Sequence, residues 1–169
     1  MVRRRVPTVS ELRSLVKLDP PSLHRTERAL ARAHTIDDLG TLAKRRIPTS
    51  VFDYVDGAAE QEESLARSRA SYAAVEFRPR VLRDVANVNS AVEVLGATSP
   101  LPLVLAPTGF TRMMHHEGEL AVGRAAAAAG VPYVLSTMGT TSVEDLATQV
   151  PDVQRWFQLY LWQDRARPS

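Results

Sequence analysis

The feature that most constrains this chain is a rhythm that begins at residue 100. LPLVLAP is a compact apolar run, and GELAVGRAAAAAG follows with helical character and Gly130 to close it. VPYVLST is a second run, TSVEDLATQV a second helix with Ser142 and Asp145 placed for capping, and RWFQLYLW a third run. Short apolar runs alternating with helices mark parallel strands, because parallel neighbours need a crossover connection. Two such folds compete, an open doubly wound sheet and a (β/α)8 barrel. The first strand-to-helix turn, APTGFTRMMHHEGE, bears on the choice. It lacks the closely spaced glycines of a Rossmann phosphate loop. It is long and chemically varied, which suits a barrel, where function collects at the C-terminal strand ends. The pattern alone therefore gives an α/β fold class, with the barrel favoured over the open sheet.

Three segments are expected. Residues 1–34 read as a basic N-terminal extension, with a short helix over 10–18 capped by Ser10 and broken by DPPS. Residues 35–99 read as a helical segment and short strands preceding the barrel, and residues 100–169 as the first βα units of a truncated barrel. In the middle segment Thr35 and Asp38 have capping-box spacing, and Ile36, Leu39 and Leu42–Ala43 form one apolar face. Pro48 opens a second helix, PTSVFDYVDG, which Gly57 stops. EQEESLARSRASY is a third helix, and the alternation in SAVEVLG predicts a strand in an antiparallel pair.

Composition narrows the function classes. There is no cysteine, so neither a disulfide framework nor a thiolate metal site is available. The net charge of +2 is uneven. Residues 1–50 hold eleven Lys/Arg against five Asp/Glu, and the remainder ten Arg against fourteen Asp/Glu. The opening arginines are followed by no apolar signal region, and no run approaches the roughly 20 residues of a membrane span. A cytoplasmic chain, with peripheral attachment at the inner membrane face as the variant, is the expectation. The basic excess reads as a solvated arm, and no nucleic-acid partner is expected.

Polar groups recur at the strand ends. Pro107, Thr108 and Gly109 follow the first run, and Ser136 and Thr137 follow the second. Gln158 and Tyr160 lie in the third, two apart and therefore on one face. Taken singly, Pro-Thr-Gly is a common turn and Ser136 a satisfied strand end. Gln158 and Tyr160 are harder to dismiss, because buried polar side chains need partners. In a barrel the three groups converge on one mouth, where hydroxyls, an amide and a close-approach glycine suit a planar heteroaromatic ring. Tyr54, upstream, reads alone as a packed helical aromatic. His115 and His116 are adjacent and diverge on any regular element, so no metal site is expected.

Together these blocks resemble the FMN-dependent α-hydroxy acid dehydrogenases and oxidases, which include L-lactate dehydrogenases, glycolate oxidases and mandelate dehydrogenases. The resemblance runs from about Thr35 to Arg165, on KRRIPTSVFDYVDGAAEQEESL, FRPRVLRDV, LPLVLAPTGFTRMMHHEGELAVGRAAAAAG, LSTMGTTSVEDLA and WFQLYLWQDR. It implies FMN as cofactor and oxidation of a small L-2-hydroxy acid such as L-lactate to a 2-oxo acid. It assigns substrate contacts to Tyr54 and Tyr160, and flavin contacts to Pro107, Thr108, Gly109, Ser136 and Gln158. Gly109 stands where many members carry alanine. Met138 stands where glycolate oxidases often carry tryptophan, which disfavours glycolate relative to lactate-like acids.

The family's catalytic histidine, carboxylate-clamping arginine, flavin-stabilising lysine and phosphate site all follow the third strand, and none is expected here. The resemblance therefore implies an N-terminal fragment, an incomplete TIM (β/α)8 barrel made of N-terminal helices plus about the first three barrel strands, inactive alone and weak in FMN binding. The alternative is a non-catalytic homologue that docks on, or complements, a partner such as a full-length relative, or forms a homo-oligomer.

Overall fold

The computed structural model describes Thr8 and residues 24–161. The helix expected over 10–18 lies outside the described residues. The chain divides into two compact units, Met1–Ile47 and Pro48–Ser169.

In the first unit, α1 (Arg25–Leu30) and α2 (Ile36–Lys44) are joined by a short turn. The sequence reading placed no helix at α1, which is six residues long and has no side-chain cap. The start of α2 follows the expected capping box. The Thr35 hydroxyl accepts the Asp38 amide at 3.1 Å, and the Asp38 carboxylate accepts the amides of Thr35 at 3.0 Å and His34 at 2.9 Å. The expected apolar face is only half realised, because Ile36 and Leu39 are exposed while Leu42 and Ala43 are half-buried.

In the second unit, α3 (Thr49–Asp56) begins after Pro48 and ends where the Gly57 amide donates to the Asp53 carbonyl at 3.0 Å. Phe52 is its buried residue. After α4 (Glu63–Ala73) comes an irregular stretch, then β1 (Val92–Val94) and β2 (Ala97–Ser99), an antiparallel hairpin with Val92 opposite Ser99. A 3-10 turn (Thr111–Met113) leads to α5 (Gly118–Ala129), β3 (Tyr133–Leu135), α6 (Val143–Gln149) and β4 (Arg155–Phe157).

Strands β3 and β4 pair in parallel, with Tyr133 opposite Arg155 and Leu135 opposite Phe157. On the other side of β3, Leu105 makes a parallel bridge to Tyr133; its amide donates to the Pro132 carbonyl at 2.9 Å and its carbonyl accepts the Val134 amide at 3.0 Å. The expected first strand is thus reduced to this bridge, and the described residues form a three-membered parallel arc rather than a closed barrel. Ala126, Val131, Tyr133, Leu135, Leu146, Val150 and Val153 are the core under it. Gly123 lets α5 and α6 approach closely, since a Cβ there would lie 2.9 Å from Leu146 Cδ1. No helix among the described residues is long and apolar enough to cross a membrane.

Large apolar side chains remain in water. Phe77 and Leu82 are fully exposed, and Leu161 is 91% exposed. Among the described residues the far edge of β4 is unpaired. Exposed apolar surface beside an open edge invites association. The purified chain is expected to bind the dye ANS and to elute in size-exclusion runs at positions that depend on its concentration. A monodisperse monomer with a sharp two-state melt and no dye binding would contradict this.

Candidate functional site

The ends of the parallel arc open on one cavity of about 860 Å³. Its lining includes Tyr54, Pro107, Thr108, Gly109, Ser136, Gln158 and Tyr160, so the residues that the resemblance assigned to flavin and substrate contacts all border one cavity, while Thr137 does not line it. Met138 and Phe110 lie beside them, and the α3–α4 connection contributes Gly57, Ala58 and Glu62.

The centre of the site is tied to the backbone of β3. Ser136, 5% exposed, follows that strand directly; its hydroxyl donates to Gln158 Oε1 at 3.1 Å and accepts the Met138 amide at 3.1 Å. The Thr137 hydroxyl donates to the Gln158 carbonyl, and the Gln158 amide donates to the Leu135 carbonyl at 2.9 Å. Gln158 is thereby held at three points, and its side-chain NH2 keeps its donors uncommitted among the described residues. The sequence reading put Gln158 and Tyr160 inside the last strand. The strand ends at Phe157, and both residues lie just beyond it, where polar side chains can face a cavity.

Gly109 sets how closely the first loop approaches the second. A Cβ on it would stand 3.0 Å from Met138 Cβ, and the next amide, of Phe110, donates to the Met138 carbonyl at 3.1 Å. The Gly109–Phe110 backbone therefore packs closely against Met138.

Below the cavity lies a residue that the sequence reading missed. Glu119, in the first turn of α5, has no exposed surface. Its carboxylate accepts the Thr140 amide at 2.8 Å, the Thr140 hydroxyl at 2.7 Å and the Thr141 hydroxyl at 3.0 Å. Burial works to raise its pKa. The polar groups of Thr111 and Thr140 outweigh that and hold the carboxyl at about 2, against an ordinary 4.5. The Thr111 hydroxyl acts here through proximity, since it makes no hydrogen bond of normal geometry. Glu119 anchors the loop that carries Ser136 and Met138 to the start of the helix. In sequence it looks like any acidic residue at a helix start. Burial, and then the charge of Glu119, push the nearby Tyr133 phenol up to about 12, so it stays neutral.

The adjacent histidines do not diverge as expected. They sit in a turn, with ring centroids 4.4 Å apart, and with Glu117 they bring one ligand atom each within 4.8 Å of one another. Their ligand capacity is partly taken, because His115 Nδ1 accepts the Glu117 amide at 3.3 Å and Arg124 pairs with Glu117 Oε1 at 2.5 Å.

The lining of the large cavity contains carboxylates, Asp53 and Glu62, but no lysine, arginine or histidine among the described residues. The arrangement can hold a planar polar ring through neutral hydrogen bonds and contact with the Pro107–Gly109 segment. It offers no cation for an anionic substrate and no imidazole for proton transfer.

A family model described as FMN-dependent dehydrogenase matches residues 43–168. A relative from Mycobacterium tuberculosis named "Putative L-lactate dehydrogenase" is 51% identical over 166 residues, covering 98% of this chain and 40% of the relative. The glycolate oxidase of Spinacia oleracea is 40% identical over 130 residues, covering 77% of this chain and 35% of its own length. Among solved structures, a mandelate oxidase superposes with a TM-score of 0.73 at 37% identity, over 78% of this chain and 39% of that one. An (S)-mandelate dehydrogenase chimera gives 0.71 at 40% identity, over 75% and 35%. The chain spans about two fifths of the length of the relatives it matches.

Proposed function

The chain belongs to the FMN-dependent dehydrogenase family, and from that premise we propose that it forms the flavin-ring and substrate-facing part of an L-2-hydroxy-acid dehydrogenase. The parallel arc is then the first part of a (β/α)8 barrel. Residues 35–99 contribute a wall through Tyr54, and residues 100–169 contribute the strand ends. The observation that carries this reading is the meeting of Tyr54, Pro107–Gly109, Ser136, Gln158 and Tyr160 around one cavity.

The residues fit the ring of FMN. The uncommitted NH2 of Gln158, fixed by Ser136 and Thr137, suits the acceptor-rich pyrimidine edge of a flavin. The Pro107–Gly109 segment would lie against its flat face. No cationic side chain in the lining suits the phosphate. FMN held there would supply the acceptor for the hydride equivalent from C2 of the hydroxy acid. The phenols of Tyr54 and Tyr160 orient the acid's carboxylate and hydroxyl. Met138 leaves the substrate wall open to a methyl group, which favours L-lactate or a lactate-like acid over glycolate. The base that accepts the hydroxyl proton, and a cation to clamp the carboxylate, are not among the lining residues. The chain's own part is therefore binding and orientation. In this reading the 169 residues act as the N-terminal fragment of such an enzyme.

Riboflavin, which has the ring and no phosphate, tests the ring site directly. Titration followed by flavin fluorescence is expected to show weak saturable quenching. Gln158→Leu is expected to weaken it by about tenfold, the worth of a buried hydrogen bond whose partner is left unsatisfied. Quenching that is absent in the parent chain, or unchanged in Gln158→Leu, would count against the ring assignment.

A further inference from the structure

The basic excess of residues 1–50 finds no use in the flavin reading, and the first unit gathers part of it around a second cavity. This cavity, of about 600 Å³, is lined among the described residues by Arg25, Arg28, Ala29, Arg32, Leu42, Arg45 and Arg46. The α1 positions stand at i, i+3, i+4 and i+7, one face running through the helix and just past its end. The α2 positions, at and just past its C-terminal end, stand at i, i+3 and i+4 and turn toward the same space. Among the described residues none of these five arginines forms an ion pair. Glu27 on α1 has a partner of its own and forms no ion pair with these arginines among the described residues, and Asp38 on α2 accepts the amides of its own helix cap.

Like charges at helical i, i+3 and i+4 spacing repel, and two such sets facing one space compound the cost. One guanidinium is also held in place, since Arg46 Nη2 donates to the Thr26 hydroxyl at 3.2 Å across the two helices. Five guanidinium groups around a concave space, none in an ion pair among the described residues, match a compact oxyanion of more than one charge. A single carboxylate would neutralise only one of the five.

We propose that the cavity between α1 and α2 binds a polyvalent phosphate group, borne by a phosphorylated small molecule or an anionic phospholipid headgroup. Both sources present the same chemistry to the arginines. Occupancy relieves the repulsion, so the ligand stabilises the first unit as well as binding to it.

The test uses the full chain and two phosphate probes, with duplex DNA as the counter-probe. Inorganic pyrophosphate has no ring, so it does not report on the site of the second unit; its binding is followed by calorimetry. Sedimentation with phosphatidic acid vesicles, whose phosphomonoester headgroup carries up to two charges, against phosphatidylcholine vesicles, addresses the headgroup. Saturable pyrophosphate binding is expected, weakened roughly tenfold or more in Arg28→Gln/Arg32→Gln. The pair Arg45→Gln/Arg46→Gln, on the other helix, is expected to do the same and covers the case in which the first pair fails to fold. The control pair Arg67→Gln/Arg69→Gln, on α4, removes equal charge and is expected to stay within about twofold of the parent chain. Vesicle binding with the same dependence on the cavity arginines identifies a headgroup as the source; pyrophosphate binding without it identifies a soluble one. The proposal is overturned if neither probe binds, or if the control pair loses as much as the cavity pairs. It is overturned equally if duplex DNA binds more tightly than pyrophosphate with the same variant dependence.

Discussion

Glu119→Ala is expected to destabilise the second unit by about 3–5 kcal/mol, because three donors lose their acceptor at roughly 1–3 kcal/mol for each one left buried and unsatisfied. Three donors now end on this carboxylate, the Thr140 amide and the hydroxyls of Thr140 and Thr141. Alanine leaves all three without it, in a place where Glu119 itself has no exposed surface. It also removes a negative charge from the first turn of α5, a smaller loss of about 0.3–1 kcal/mol. Glu119→Gln keeps an acceptor and the shape, and is expected to cost less. Urea denaturation followed by circular dichroism checks the order, parent above Gln above Ala. An alanine variant within about 1 kcal/mol of the parent would refute the anchor role.

The same carboxylate predicts an acid limb. In the unfolded chain it takes up a proton near its ordinary 4.5, and in the folded chain only near 2. Between those values the unfolded state binds more protons, so stability falls as pH drops through that window and is fully present above it. The gap corresponds to roughly 3 kcal/mol. Denaturation midpoints between pH 5 and pH 2 are expected to fall more steeply in the parent than in Glu119→Gln, which has nothing to titrate there.

What could be read from the sequence divides by the range of the interactions. The Thr35–Asp38 box and the Ser142–Asp145 cap span three residues each, and both formed as spaced, the second with the Asp145 amide donating to Ser142 Oγ at 3.0 Å. The antiparallel hairpin was legible for the same reason. Glu119 was not, because its partners lie about twenty residues on, and nothing at a helix start distinguishes a buried acid from a solvated one. LPLVLAP carries the composition of a strand but pairs only through Leu105, since ladder formation depends on neighbours that composition does not report. The histidine pair was misjudged because regular geometry was assumed where the chain turns. The meeting of Tyr54 with Gln158 and Tyr160 was reachable only through the family resemblance. Periodicity places Gln158 and Tyr160 on one face but says nothing of a helix a hundred residues earlier.

A polypeptide limited to these 169 residues is expected to turn over no L-lactate, even with excess FMN. Oxidation at C2 needs the hydroxyl proton removed, and a positioned base is worth roughly 10²–10⁴-fold. The cavity's ionisable groups work against the reaction instead. Asp53 and Glu62 are the carboxylates in its lining, and no cation among the described lining residues offsets their repulsion of an anionic hydroxy acid. Glu62 is further committed, its Oε1 accepting the Ala58 amide at 3.1 Å. The neutral half of the site, Gln158, Ser136 and the two tyrosines, can orient a ring and a substrate but supplies neither proton transfer nor charge. If the arc is the first part of a barrel, the missing groups come from strands that pair with its open edges. Co-expression with the portion of the Mycobacterium tuberculosis relative that lies beyond the matched region is then expected to restore lactate-dependent reduction of an artificial dye. Gln158→Leu in the co-expressed pair is expected to reduce it again. Bleaching of flavin by L-lactate with the 169-residue chain alone would show that the lining contains a competent base, and would overturn this division of the site.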